Sequence, residues 1–578
     1  MFSKKTLTFL ILFLVLTSGC SRLATPWKRG DKAKKPDKNP YRVSFVRDYA
    51  TPYYMHLVGV NGFGLVCGLR GTGAPTPPGL DREILLRELQ KRNVNRPNEL
   101  LDSKDTAIVR LEGYLTPGLQ QGDIFDVKVA TPTGSEVTSL RGGYLLRTTL
   151  QEQGLTESFS SLKSGFPLAD VEGPVMLSPS IGKQSNPMES TYGKILGGGI
   201  TRKDRPVYLL MKEEHVSEFN TKRIADQINK RFFTKHGGKT EGVATAKTDK
   251  LVELRVHPTY KDNMERYMQV LLSVACYETM EQRGKRIEEL KQSVLEPKTA
   301  QGSALKLEAL GKTGEEPLLA GLKSPNMEIR FYCAESLAYL DVVKAVKPLA
   351  EIAKMEPAFR VRALGALSSM QSDLEAEAAL RDMLHENSAE TRYGAFRALW
   401  QRNKHDLMIR GETLGSNASY FNYHVLNTKG SPMIHVTYSK RPELVLFGSD
   451  IHLTPNFVLD AGTSILVSCT NGQDEVKVSR LNSLHSRIVT TRLDEIIKAI
   501  VDLGGTYPDV VEMLLEAQTQ KALPCRVEID KLPQGGRVYS RSPEDEEEEI
   551  EEVKKKSFWS KINPNSWVEA GNEEWSEE

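Results

Sequence analysis

The chain has 578 residues, 39% of them apolar, with 77 Lys and Arg against 75 Asp and Glu. That length admits about three or four domains, and the apolar content suffices for sizeable cores. A net charge of +2 argues against binding nucleic acid through overall charge, and six cysteines with no CxxC pair or His/Cys ligand spacing argue against zinc.

Residues 1–19 read as a secretory signal peptide. Lys4 and Lys5 form its charged start, and Leu7–Leu16 is an apolar core too short to span a membrane. Leu16-Thr17-Ser18-Gly19-Cys20 resembles a bacterial lipobox, in which cleavage before Cys20 leaves its thiol to carry diacylglycerol. The competing reading is an ordinary signal peptide with an incidental Cys. Ser21 in place of Asp implies the outer membrane, by analogy with lipoprotein sorting in Gram-negative bacteria. Two or three acyl chains would anchor far more firmly than one. Residues 20–41, rich in Lys, Arg, Pro and Asp, are expected to be a disordered tether. It either touches anionic headgroups or acts as a solvated spacer.

The folded part is expected to begin with a region at 42–299. Gly62, Gly64, Gly68, Gly71 and Gly73 lie in NGFGLVCGLRGTG, which invites a nucleotide-loop reading. The spacing fits neither G-x-G-x-x-G nor G-x-x-x-x-G-K-[ST] in context, and no strand-to-helix unit with a downstream acidic residue is evident. Arg82–Arg92 reads as an amphipathic helix. Lys104–Leu150 then organises the chain. Ile108–Glu112 and Ile124–Ala130 largely alternate apolar and polar residues, as half-buried strands do. Between them, Thr116-Pro117-Gly118 and Gln120-Gln121-Gly122-Asp123 are turn chemistry. Ser139-Leu140-Arg141-Gly142-Gly143-Tyr144-Leu145-Leu146 closes the stretch. It holds no general base, thiol nucleophile or cluster of metal ligands. Catalytic, cofactor-binding and metal residues are accordingly expected to be none.

These two blocks resemble the bacterial flagellar P-ring protein family. The first carries the likeness at Gly62, Gly64, Leu65, Val66, Gly68, Leu69, Gly71, Thr72 and Gly73, with Ala74 where the family has an acidic residue. The second carries it at Gly122, Asp126, Val127, Gly134, Ser139, Leu140, Arg141, Gly142, Gly143, Leu145, Leu146, Thr148 and Leu150. After a Gly-, Ser- and Pro-containing region at about 151–192, further blocks follow in family order. They are Gly-rich Gly193–Thr201, a strand at Val207–Met211, a helix at Phe219–Phe232 with Ile224, Ile228 and Phe232 on one face, strands within Gly242–Ala246 and Val252–Val256, and a helix at Met264–Val274.

The texture changes at 300–410, which is rich in Ala, Leu and Glu. Arg330, Arg360 and Arg392 head segments that repeat about every 31 residues, each followed by apolar residues at +3, +4 and +7. Leu322, Ile352 and Leu384 stand eight residues before them, and Pro325 and Pro357 mark turns between paired helices. This resembles HEAT-type helical repeats, in which stacking buries a continuous core and three repeats just suffice for an independent unit. The readings are a protein-docking surface or a spacer.

The P-ring likeness returns at 411–536. Arg441, Val445, Gly448, Ile451 and Pro455 carry it, with a hairpin and strand around Ala461–Val467. His452 reads as a strand-face residue. Leu493–Leu503 reads as a helix stopped by Gly504-Gly505, Pro508–Ala517 as a second helix and Cys525–Ile529 as a last strand. The tail at 537–578 contains the acidic run Glu544–Glu552 and then Trp559, Trp567 and Trp575. It is expected to be disordered, either bearing a partner-binding motif or simply solvated. Besides Cys20, the five cysteines at 67, 276, 333, 469 and 525 read mostly as small buried apolar residues, with a Cys469–Cys525 bridge left open.

The expected fold is therefore α+β: β-rich P-ring-type domains interrupted by an all-α HEAT-like solenoid, with a disordered acidic tail. The resemblance implies a non-enzymatic subunit that assembles with copies of itself as a ring around the flagellar rod in the periplasm, beside the outer-membrane ring. Lipid on Cys20 would add a membrane anchor. The other reading is a lipid-anchored envelope scaffold that reuses this fold and recruits a protein partner through its repeats.

Overall fold

A computed structural model describes residues 43–152, 165–178, 190–236, 239–370, 373–416, 419–470 and 475–541. The signal peptide, Cys20, the tether and the acidic Trp-bearing run lie outside the described residues. The architecture is mixed α+β.

The alternating stretches become a barrel. Val58–Cys67 pairs antiparallel with Thr106–Leu115 over ten positions, from Val58 opposite Leu115 to Cys67 opposite Thr106. The hydrogen-bonded order runs Ile124–Ala130, Thr106–Leu115, Val58–Cys67, Tyr144–Glu152, Pro167–Pro174, Tyr192–Thr201 and back to Ile124–Ala130. Closure removes the open edges that a free sheet would present. Ala107, Val109, Leu111, Val127, Leu150, Val171 and Ile195 fill the inside. Leu65 and Ile108 point the other way, beneath Leu85 and Leu89 of the helix Leu80–Lys91.

Two readings are corrected here. Gly193–Thr201 is a barrel strand in its own right, and the region 151–192 contributes the strand Pro167–Pro174. Neither shows clean alternation, because neighbours supply the bulk. A Cβ on Gly199 would lie 2.7 Å from the Phe125 ring, so the strand is bare where its neighbour is large.

A second sheet joins Ala244–Ala246, Leu251–Leu254, Val207–Met211 and Ala50–Tyr53. The helix Glu218–Arg231 is capped at its start by the Ser217 hydroxyl, which accepts from the Asn220 amide. It buries Ile224 and Ile228, with Phe232 following, as the spacing predicts. After the helix Met264–Leu272, eight α-helices among the described residues run from Met280–Ser293 to Ala389–Arg402. Glu315–Gly321 packs on Met327–Tyr339, Val346–Met355 on Pro357–Ser369, and Leu374–Met383 on Ala389–Arg402. Every +3, +4 and +7 position of the three Arg-headed segments is buried. The helical run starts earlier than 300, and that boundary falls inside the helix Pro297–Ala309. Nor is the run an independent unit. One apolar core runs from Val46 through the second sheet and the helices to Met433 and Phe447.

The C-terminal region holds a five-stranded sheet that includes Phe421–Leu426 and Glu443–Phe447, and an antiparallel four-stranded sheet ending in Ser486–Thr490. Leu493–Asp502 buries Leu493, Ile496, Ile497 and Ile500 and stops at Gly504, whose φ is +90°. Cys525 is a free thiol, so the bridge to Cys469 is not made. Another correction concerns the tail. Its first residues, 537–541, are held against the helices by Arg537, Tyr539 and Arg541. Among the described residues, no helix is long and apolar enough to cross a membrane.

Candidate functional site

The glycine-rich blocks form a joint rather than a pocket. Thr72 binds them together: its hydroxyl donates to the carbonyls of Leu69 and Ser139, each at 2.8 Å, and its own carbonyl accepts from the Thr138 amide at 2.9 Å. The Gly71 amide donates to the Asp105 carboxylate at 2.7 Å, and the Gly73 amide to the Lys104 carbonyl at 2.9 Å. Gly73 leaves no room for a side chain, since a Cβ there would stand 2.2 Å from the Thr106 carbonyl oxygen. Gly62 and Gly64 lie in the strand Val58–Cys67, where the side chains of Leu150 and Leu145 fill the space a Cβ would take, and Gly68 follows it. Leu140 is fully buried in the barrel core, and Gly143 packs on Val66.

Arg141 and Gly142 turn outward to the C-terminal region. The Arg141 Nε donates to Glu512 Oε2 at 3.1 Å, a second guanidinium nitrogen holds Glu512 Oε1, and the same nitrogen reaches the Gly462 carbonyl at 3.4 Å. This two-pronged grip is what a planar guanidinium offers a carboxylate. Gly142, at φ +70°, faces Thr463, and Arg70 donates to the Thr463 carbonyl at 2.8 Å. A second contact lies at Asp126, whose carboxylate accepts from the amides of Gly197 at 2.8 Å and Lys440 at 2.6 Å. The Tyr438 hydroxyl donates to the Leu177 carbonyl, and Met176 and Leu196 enter the C-terminal core. Burial pushes the carboxyls of Asp126 and Glu512 above their ordinary values, against the pull of the amides and of Arg141. Gly448, at φ +127°, stands just after Glu443–Phe447, away from this joint, and its amide donates to the Leu426 carbonyl.

The three repeat arginines share one task. Arg330 donates to the carbonyls of Ser324 and Pro325, Arg360 to Ala353, and Arg392 to Leu384. Each thus serves carbonyls at or just after the end of the preceding helix, which have no partner within that helix. Arg392 is fully buried, and burial lowers it to about 10. These are internal ties, and two reach beyond their own helix pair: Arg360 also binds Glu390 at 2.9 Å, and Arg392 also donates to the Ser431 carbonyl at 2.6 Å and the Thr428 hydroxyl at 3.0 Å.

Sequence reasoning missed Glu512, Thr463 and Lys440 as partners. It also missed a buried cluster in which Arg266 binds Glu308 and Glu335, and Arg362 binds Glu335. The partners lie far apart along the chain, and no periodicity announces them. Among the described residues, no group of three or more His, Cys, Asp or Glu is arranged to hold a metal ion. The joint is made of ionic and backbone contacts.

Residues 46–285 match the family model described as "Flagellar P-ring protein". The chain is similar to flagellar P-ring proteins. That of Thermotoga maritima is 29% identical over 182 residues, which is 30% of this chain and 50% of the relative. That of Caulobacter vibrioides is 28% identical over 223 residues, covering 36% and 55%. That of Aliivibrio fischeri is 31% identical over 183 residues, covering 29% and 44%. The chain spans about half the length of the curated relatives it matches. The P-ring match takes in the whole barrel and the second sheet and ends inside the helix Met280–Ser293. Most of the helical run and the C-terminal sheets lie beyond it.

Proposed function

We propose that the chain is a structural subunit of the flagellar basal-body P ring, assembling as a ring around the rod in the periplasm. It has no catalytic role in this reading and touches the rod and the outer-membrane ring proteins. The observation that carries it is the P-ring match over 46–285, which falls on a closed barrel whose glycine-rich blocks serve packing rather than ligand binding. Ring assembly needs a surface that accepts a copy, and the edge strand Ser486–Thr490 offers one, with Ile488 66% exposed. Lipid on Cys20 holds the subunit at the outer membrane. The paired helices are HEAT-like repeats that dock a partner, and the C-terminal region completes the P-ring-type scaffold.

A second reading is favoured by one observation: most of the helical run lies outside the matched residues. In it, the chain is a lipid-anchored envelope scaffold that reuses the P-ring fold. Mass spectrometry of purified hook–basal bodies separates the two. The chain at ring stoichiometry, with loss of a ring and of motility on deletion, supports the P-ring subunit. Absence from basal bodies, with sedimentation in another outer-membrane complex, overturns it in favour of the scaffold.

A further inference from the structure

The segment after the last strand meets the helices in a regular way. Arg537 grips Glu390 through two bonds of 2.9 and 2.6 Å. Tyr539 stacks on Phe359 with ring centres 4.9 Å apart. Arg541 grips Glu328 through two bonds of 2.6 Å. Glu328, Phe359 and Glu390 occupy the first turns of Met327–Tyr339, Pro357–Ser369 and Ala389–Arg402, the second helix of each pair. Each alternate residue of the segment therefore engages one pair, in reverse chain order. Val538 and Ser540 are exposed while Arg537 and Tyr539 are half-buried, which over 537–540 is the period-two pattern of an extended peptide.

The receiving surface is specific. Glu328 is 2% exposed, so it needs a cation for company. A carboxylate in a helix's first turn is favoured by the backbone there, and the paired guanidinium completes its hydrogen bonds. The segment is also separable. Asp530 is anchored by accepting from the Tyr438 amide, and Lys531 donates to His435, but Gly535-Gly536 follow, with Gly536 at φ +81° and open space around it.

We infer that this face is a receptor for an extended Arg-x-Tyr-x-Arg segment, and that neighbouring copies of the chain exchange their 537–541 segments through it. In an isolated chain a short linker holds its own segment near by at about millimolar effective concentration, so the face is self-occupied. Where copies stand side by side, a neighbour's segment competes on equal terms, and exchange makes a heterologous link that can repeat around a ring. The setting rests on the ring-subunit reading, whereas the recognition itself does not.

The test uses full chains in solution, so its failure is separable from a negative basal-body result. One variant carries R537E/R541E and has an empty face; the other carries E328Q/E390Q and has an unheld segment. The mixture is expected to form a 1:1 complex in native mass spectrometry at tens of micromolar, at least tenfold more than either variant alone. A fluorescent peptide of residues 531–541 is expected to bind the R537E/R541E chain at least tenfold more tightly than the unchanged chain. This second measurement needs only surface substitutions, and absence of peptide binding overturns the receptor. Trypsin is expected to cut after Arg537 and Arg541 at least tenfold faster in E328Q/E390Q than in the unchanged chain. Faster cutting with no complex in the mixture overturns exchange and leaves a latch within one chain. Equal cutting overturns the hold of the helices on residues 537–541 altogether.

Discussion

Gly73 and Glu390 show two ways in which a single residue is fixed by its surroundings. At Gly73 the constraint is space, because the Thr106 carbonyl stands where a Cβ would go. Gly73→Ala is expected to lower stability by about 1–3 kcal/mol, as overpacking does, read as a lower denaturant midpoint with unchanged slope. At Glu390 the constraint is charge. The hydrogen bonds from Arg537, with help from Arg360, hold its carboxyl below the ordinary 4.5. A lowered folded pKa means that the contribution is present above the ordinary value and is lost as pH falls through the folded one. Amide exchange at 537–541, corrected for intrinsic rate, should therefore show protection at neutral pH and its progressive loss as the pH falls below the ordinary carboxylate range.

At the scale of elements, the repeat arginines separate tie from docking surface. Arg360 is 6% exposed and serves the carbonyls of Ala353 and Lys354. Arg360→Ala should cost about 1–3 kcal/mol by leaving them dry, while Arg330→Ala, at a half-buried site, should cost less; chemical denaturation of the two checks the order. The edge strand Ser486–Thr490 makes the opposite prediction. Ile488→Lys should leave stability within about 0.5 kcal/mol while weakening self-association measured by sedimentation.

What was legible from sequence follows the same division. Ile124–Ala130 matches the observed strand, and the Arg-headed segments place their apolar residues inside, because local periodicity encodes which face is buried. Pro167–Pro174 was hidden because its burial comes from neighbouring strands. Arg141 was visible in its block, but Glu512 lies 371 residues away and has no local signature. Arg537, Tyr539 and Arg541 read as the start of a disordered tail, since nothing in a short polar segment names the carboxylates that receive it.

For the whole molecule, the shared core decides how it comes apart. Arg266, on the helix Met264–Leu272 that follows the second sheet, is buried against Glu308 and Glu335 of the later helices, and one apolar core is continuous from the second sheet into those helices. The helices and the second sheet should therefore unfold in one calorimetric transition, with no separate helical melt. Glu308→Ala should destabilise that single transition by up to about 3–5 kcal/mol, because it removes one of the two carboxylates that hold the buried Arg266 guanidinium.

The reach from Arg141 to Glu512 also sets a timetable. At about 5–20 residues per second of synthesis, the 371 residues between them take on the order of 20–70 s to make. The barrel can close early, since its strands all lie within residues 58–201. Its outer face then waits, with Arg141 and Asp126 wet, until Lys440 and Glu512 emerge. During that interval the nascent chain carries a finished cylinder with an unfinished seat, and whatever meets it then meets a surface that the completed protein partly covers.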